Sequence, residues 1–298
     1  MSDILLQLSH DLSEIAEAAG QYVVCVEGRP RLGASGIVWA TDGLVVTAHH
    51  VLERDEQIAV GLPDGKTVPA TLVGRDPATD LALLRAQTGG LTPAAWSEAM
   101  TVQVGHLVLA VGRPGQSVQV SLGVASALGG EWRTPMGGLV DHYLQTDLVM
   151  HPGFSGGPLV DMAGHVVGLN TSALLRGIGL AVPAATVRRV VEALAAHGWI
   201  RRGYLGVTTQ PVRLPADLAA ELGQETGLLL VSVERGSPAG DASLFLGDTI
   251  VALDDQPVRN MDDLLSLLSP DRVGQRVRVR VVRGGQVHVL TLVIGERG

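Results

Sequence analysis

Cysteine, lysine, aromatic rings and long apolar runs are all scarce in this 298-residue chain. The single cysteine, Cys25, excludes an intrachain disulfide and leaves the redox compartment open. It sits in the strand-like run YVVCVEG with no electropositive neighbour, so burial is its expected role, not thiol chemistry. Lys66 is the only lysine, and the net charge is −8. That balance argues against nucleic-acid binding, which needs a basic face to displace phosphate counterions. No uninterrupted apolar run reaches the roughly 18 residues of a membrane-spanning helix. The first residues carry no basic start, and Gln7, Ser9, His10 and Asp11 interrupt any apolar core, so they do not read as a secretory signal. The sequence as given fits a cytoplasmic protein, or a periplasmic or cell-envelope protein whose N-terminus was trimmed. Aromatics make up only 3%, so the cores must be built from Val, Leu, Ile and Ala. There is no low-complexity tract and no solenoid period.

What is abundant is glycine, 38 residues, in a chain that is 46% hydrophobic. Ile4, Leu5, Leu8, Leu12 and Ile15 recur at helical spacing and predict an amphipathic helix over 1–20, stopped at Gly20. From Gln21 to about Thr171 short β-like runs alternate with turns, Asp42-Gly43 and Asp64-Gly65 among them. That density of short strands predicts a barrel or sandwich. After Pro183, Val187, Val190, Val191 and Leu194 share one helical face, with Gly198 placed as its C-terminal cap. A second, smaller unit begins near Tyr204, with strand-like runs around a short helix, MDDLLSLLS. The expected organisation is a helix over 1–20, one domain over 21–200 and another over 201–298.

The stretch HPGFSGGPLV, His151 to Val160, crowds glycine and proline round one serine. Gly153-Phe154-Ser155-Gly156-Gly157 fits the G-x-S-x-G elbow of α/β-hydrolases, but a helix must follow that serine, and Gly-Gly-Pro starts one poorly. The other order is His, Asp, then Ser. VVTAHHVL offers His49 and His50; RDPATDLALL offers Asp76 and Asp80. A serine needs a neutral imidazole to take its proton, and the imidazole needs a carboxylate to hold its tautomer. Such a triad loses activity in acid. Adjacent histidines on a strand face opposite sides, and H-E-x-x-H is absent, which leaves a metal-dependent hydrolase little support. No metal or other cofactor is expected.

At these residues the chain resembles the trypsin-like serine proteases, and within them the HtrA (high-temperature-requirement) proteases. The matching stretches are ASGIVWATDGLVVTAHHVL, RDPATDLALLR, VGRPGQSVQVSLGVAS, LQTDLVMHPGFSGGPLVDMAGHVVGLNT and GIGLAVP. The resemblance covers nearly everything after Gly20. It implies a mainly β fold: a chymotrypsin-like double β-barrel protease domain followed by a PDZ domain. It assigns the triad to His50, Asp80 and Ser155, with Asp76 left as a turn residue before Pro77. Gly153, Phe154 and Ser155 would bring backbone N–H groups to an oxyanion hole. The primary specificity pocket would be Val149, six residues before the serine, with Ile178 and Leu180, suiting small or medium aliphatic side chains. Tyr204, Leu205, Gly206 and Val207 would form the PDZ loop that holds a peptide's C-terminal carboxylate, with Leu264 or Leu268 walling the groove. The implied partners are unfolded or misfolded polypeptides and C-terminal peptides, and the implied assembly is a homotrimer. The chain departs from the family at His151 and Phe154, where asparagine is usual, and at Ser243-Leu244-Phe245. Phe154 is the feature behind an alternative, a proteolytically idle chaperone or C-terminal-peptide sensor on the same fold.

Overall fold

The computed structural model describes residues 2–30, 32–175 and 177–297. The chain divides into two compact units, residues 1–200 and 201–298.

The first unit opens with α1 (Ser2–Gly20). Its C-terminal half packs on the core through Leu12, Ile15, Ala16 and Ala19. The apolar stripe is only half used, since Ile4, Leu5 and Leu6 are 74%, 68% and 66% exposed. Arg113 fastens the helix end. Its guanidinium donates to the carbonyls of Gly20 (2.8 Å), Val23 (2.7 Å) and Gln116 (2.6 Å). Arginine's planar fork of donors is what allows one buried side chain to serve three carbonyls.

The first barrel comprises β1 (Val23–Glu27), β2 (Ala34–Val38), β3 (Leu44–Ala48), β4 (Ile58–Gly61), β5 (Thr67–Asp76) and β6 (Leu81–Ala86). It closes in the order β1-β2-β3-β6-β5-β4. Strands β2 and β3 are buried at every position. Turns at Gly43 (φ +94) and Gly65 (φ +85) need the left-handed backbone that glycine accepts. The aspartate before each glycine accepts a backbone N–H, that of Leu44 or Lys66. Cys25 is buried in β1, and burial pushes its thiol up to about 11.

The second barrel takes β7 (Leu107–Gly112) and β8 (Gln119–Gly129) first. A two-stranded hairpin follows, β9 (Trp132–Arg133) and β10 (Leu139–Val140). Then come β11 (Tyr143–Thr146), β12 (Pro158–Asp161), β13 (Val166–Thr171) and β14 (Gly179–Pro183). It closes in the order β11-β14-β13-β12-β7-β8. Closure leaves neither barrel with an exposed edge. Helix α2 (Ala184–His197) buries Val187, Val190, Val191 and Leu194 against strands of both barrels, β5, β6, β13 and β14. It ends at Gly198 in the left-handed region, whose N–H donates to Leu194 O at 2.8 Å.

The second unit runs through β15 (Arg202–Tyr204), β16 (Val207–Arg213), α3 (Ala216–Leu222), β17 (Thr226–Val233) and α4 (Pro238–Asp241). It continues with β18 (Thr249–Leu253), β19 (Gln256–Pro257), α5 (Met261–Leu267), β20 (Arg276–Arg283), β21 (Gln286–Val293) and β22 (Gly295–Arg297). The main sheet runs β16-β17-β18-β20-β21, which leaves β16 on an edge. Leu205, Leu228, Leu230, Ile250, Leu253, Leu264, Val279 and Val281 fill the core beneath it. The unusual Ser243-Leu244-Phe245 run makes a left-handed turn at Ser243 (φ +59) and buries Leu244. Phe245 is left 56% exposed, with the Arg283 guanidinium 4.7 Å from its ring centroid. Arg283 also bonds the buried Asp248 at 2.7 Å. Among the described residues no helix is long and apolar enough to cross a membrane.

The Arg283–Asp248 pair gives this unit a pH-dependent term. Burial pulls the Asp248 carboxyl upward, but hydrogen bonds from Arg283 and the Phe245 N–H outweigh it and hold the group below its usual range. A lowered folded value stabilises above the unfolded pKa of about 4, and the stabilisation is lost as pH falls through the folded value. Arg283→Met should therefore cost about 1–3 kcal/mol near neutral pH. The deficit should shrink in acid. Urea denaturation at neutral and acidic pH measures it, and a deficit that does not change with pH would contradict the pairing.

Candidate active site

Strand β3 ends at Ala48, and the chain turns through a short 3-10 helix, His49–Val51. The turn presents its two histidines to different partners. The His50 backbone N–H donates to Asp80 Oδ1 (2.9 Å), and its Nδ1–H donates to Asp80 Oδ2 (2.8 Å). The His49 N–H donates to the Asp80 carbonyl at 2.9 Å. The His49 ring turns instead to Arg75, whose Nη1 donates to its Nδ1 at 3.4 Å. Burial, aided by the Arg75 charge, lowers the His49 pKa.

Asp80 sits at φ +58, a left-handed backbone uncommon for a residue with a side chain. The turn before it is tied by Asp76, which accepts the Thr79 hydroxyl (2.6 Å) and the Ala78 N–H (3.2 Å). The Asp80 side chain is 4% exposed. Its Oδ2 also accepts the Thr171 hydroxyl from the end of β13. With both histidine N–H groups bonded to one carboxylate, the His50 tautomer is set and Nε2 is left as the basic nitrogen.

Ser155 lies on the elbow between β11 and β12. Phe154 before it is fully buried, packed in the second barrel's core with Val108, Leu144, Leu148 and Leu159. The fit is close: a Cβ added at Gly112 would lie 2.7 Å from the ring. The His151 ring meets it edge-on at 5.3 Å. The residue that breaks the family pattern therefore anchors the elbow. Gly153 (φ +88) and Gly156 (φ +87) bracket it in the left-handed region. The Phe154 N–H, expected at the oxyanion hole, donates instead to His151 O at 3.0 Å, closing a turn. The Gly153 and Ser155 N–H groups donate to no acceptor among the described residues. Ser155 Oγ lies 3.3 Å from Ser172 Oγ, and among the described residues no hydrogen bond joins it to His50. Catalytic hydrogen bonds are often long without substrate.

Beneath the elbow lies Ser35, fully buried in β2. Its N–H donates to Ser155 O at 3.1 Å and its hydroxyl donates to Gly153 O at 2.6 Å. Sequence reasoning missed Ser35, Thr171 and Ser172. The available signal for Ser35 was one hydroxyl inside the otherwise apolar run Ala-Ser-Gly-Ile-Val.

The three residues expected to line a specificity pocket occupy different depths. Val149 is 61% exposed, Ile178 is half-buried, and Leu180 is 2% exposed within β14. A residue as exposed as Val149 does not form the floor of a closed pocket in this state.

In the second unit, the loop Tyr204-Leu205-Gly206-Val207 leads into the edge strand β16. The Leu205 carbonyl accepts the Ala239 N–H (2.9 Å) and the Gly206 carbonyl accepts the Glu234 N–H (2.8 Å). The Leu205 and Gly206 N–H groups donate to nothing among the described residues. Gly206 has φ +80, and a Cβ there would stand 2.1 Å from the Ser237 Cβ. Leu264 and Leu268, the expected groove walls, are buried in this unit's core.

Comparison with known proteins agrees with this organisation. Residues 34–169 match the trypsin-like peptidase domain and residues 203–294 match the PDZ domain. A probable periplasmic DegP-like serine endoprotease of Rhizobium meliloti is 37% identical over 276 residues, 90% of this chain and 54% of that protein. Its counterpart in Chlamydia muridarum is 36% identical over 266 residues, 87% of this chain and 53% of that protein. The chain thus spans about half the length of these curated relatives. Among solved structures, a serine endoprotease from Yersinia pestis aligns with TM-score 0.77 and 29% identity, covering 96% of this chain and 98% of that one. The HtrA-type protease AlgW with a tripeptide aligns with TM-score 0.74 and 31% identity, covering 96% of this chain and 97% of that one. Two closed six-stranded barrels, a trypsin-like peptidase match, a following PDZ match and 31% identity across 97% of a solved HtrA-type protease chain place the chain in the HtrA family of serine proteases.

Proposed function

We propose that the chain is a serine endopeptidase that cleaves unfolded or misfolded polypeptides after small or medium aliphatic residues, under control of peptides bound at its PDZ unit. The observation that carries this is the double hydrogen bond from His50 to Asp80, with the elbow serine flanked by unengaged N–H groups. Ser155 Oγ attacks the scissile carbonyl. His50 Nε2 takes its proton and later returns it to the leaving amine. Asp80 holds the ring and stabilises the imidazolium. The Gly153 and Ser155 N–H groups receive the oxyanion. Before attack, Ser155 must exchange its Ser172 contact for His50.

Peptides ending in an apolar residue would add a strand along β16, with the carboxylate held by the Leu205 and Gly206 N–H groups. The exposed Ile4, Leu5 and Leu6 of α1 support burial between copies, and a homotrimer is the assembly proposed. The relatives' periplasmic designation supports action in the cell envelope. A second reading, an idle chaperone or peptide sensor, draws on the missing Ser155–His50 hydrogen bond.

Cleavage of unfolded β-casein by the parent chain and Ser155→Ala separates the two. The expected loss in kcat is about 10⁴- to 10⁶-fold. A parent chain inert with and without PDZ peptides would leave the sensor reading. At the second unit, Gly206→Ala should weaken an apolar-ended peptide at least about tenfold, about 1.4 kcal/mol, by fluorescence anisotropy. Unchanged affinity would remove the loop from the peptide site.

A further inference from the structure

We infer that Ser35 is a positioning residue for the oxyanion loop, a role that rests on the serine-protease reading above. Ser35 belongs to the first barrel, while the elbow it touches belongs to the second. Four hydrogen bonds converge on it. Its N–H donates to Ser155 O (3.1 Å), and its carbonyl accepts the Thr47 hydroxyl (2.7 Å). The Arg113 N–H donates into its Oγ (2.8 Å), and that Oγ donates to Gly153 O (2.6 Å).

The direction of the last bond is forced. A hydroxyl has one proton and two lone pairs. The Arg113 N–H occupies a lone pair, and the Gly153 carbonyl can only accept, so the Ser35 proton must go to Gly153 O. Ser35 therefore holds the carbonyl end of the Gly153–Phe154 peptide, whose N–H end is held by His151 O, and its own N–H holds the Ser155–Gly156 peptide.

The first of these peptides lies between the two N–H groups proposed to meet the oxyanion, and the second follows them. Gly153 has no side chain to hold it and sits at φ +88. Without the Ser35 hydroxyl, its carbonyl would be a buried acceptor with no partner, and such groups rotate to find one. Rotation there would turn the neighbouring Gly153 N–H out of line. Phe154 holds the elbow by packing, which fixes depth; Ser35 holds it by hydrogen bonds, which fix the orientation of the peptide planes.

The approach is too close for other residues on the elbow. A Cβ at Gly156 would lie 2.1 Å from the Ser35 carbonyl oxygen, and one at Gly157 would lie 3.1 Å from the Ser35 Cβ. The second and third glycines of the motif are thus needed for Ser35 to reach the loop.

The test compares the parent chain with Ser35→Ala and with Ser35→Cys, which keeps roughly the size and only a weak donor. Steady-state cleavage, affinity for a peptidyl aldehyde, and hydrogen exchange are measured on each. Ser35→Ala should lower kcat about ten- to a hundredfold, the scale of a small misplacement at a reacting centre, with KM changed less than about threefold. Aldehyde affinity should fall by the same factor as kcat/KM, because both read transition-state binding. Exchange should accelerate within 149–157, the pH profile should keep its shape, and Ser35→Cys should fall between the two. If Ser35→Ala does not fold, Ser35→Cys carries the same comparison against the parent. Ser155-dependent cleavage with kcat unchanged in either variant would overturn the role of Ser35 and leave the protease reading standing. So would loosened exchange spread over both barrels. No Ser155-dependent cleavage in the parent chain would overturn the protease reading, and the role of Ser35 in the reaction with it.

Discussion

The architecture of the first unit turns on one buried carboxylate. Asp80 is almost sealed from solvent between two barrels made of aliphatic side chains. A charge in such a place is tolerable only if its oxygens are filled by donors. The donors come from both barrels: the His50 N–H and Nδ1–H at the end of β3, and the Thr171 hydroxyl at the end of β13. The two barrels are thereby held in register by the same group that orients the histidine. The strained backbone at Asp80 persists because the Asp76 turn and these donors over-determine it.

Aromatic scarcity gives the elbow its character. The chain has two phenylalanines. Phe245 lies exposed under Arg283, and Phe154 is sunk in the second barrel. In a core of Val, Leu and Ala, a single fully buried ring supplies an unusually large share of contact. The ring is bonded to the residue next to the serine, so packing energy is delivered directly to the loop that must keep its shape. A carboxylate at that position would need a cation to hold it. Phe154 needs only a cavity, and Gly112 makes room for it.

Local pattern made much of this legible in advance. The Asp-Gly turns, the α2 stripe of Val187, Val190, Val191 and Leu194, and the Gly198 cap depend on neighbours close in sequence. The seven-residue α3 passed unnoticed: no side chain caps its start after Pro215, whereas Asn260 caps the equally short α5. Residue spacing alone left His49 and His50 equivalent; they are told apart only by Arg75 and Asp80, each more than twenty positions away. Ser35 is harder still, since its hydroxyl bonds Gly153 across a separation of 118 residues. The 61% exposure of Val149 is illegible for the same reason: it depends on how the loop after β11 closes, which no local pattern reports.

Two places in this acidic chain are built on one device. At Gly153 and at Gly206 the backbone enters the left-handed region. At each, carbonyls are engaged from behind: Gly153 O by Ser35, and Leu205 O and Gly206 O by the Ala239 and Glu234 N–H groups. Fixing the carbonyls leaves the neighbouring N–H groups as unspent donors held at fixed angles, a concavity that favours negative charge. The first suits an oxyanion that exists only in the transition state; the second suits a carboxylate that is always charged. Neither requires an arginine or lysine at the site, so a net charge of −8 and a single lysine are compatible with the two anion-binding roles proposed for these loops. The difference between them lies in what holds the carbonyl. Backbone N–H groups hold it at Gly206 and cannot be removed by a side-chain substitution, whereas at Gly153 a single serine hydroxyl does so, which makes the first loop the more sensitive of the two to mutation.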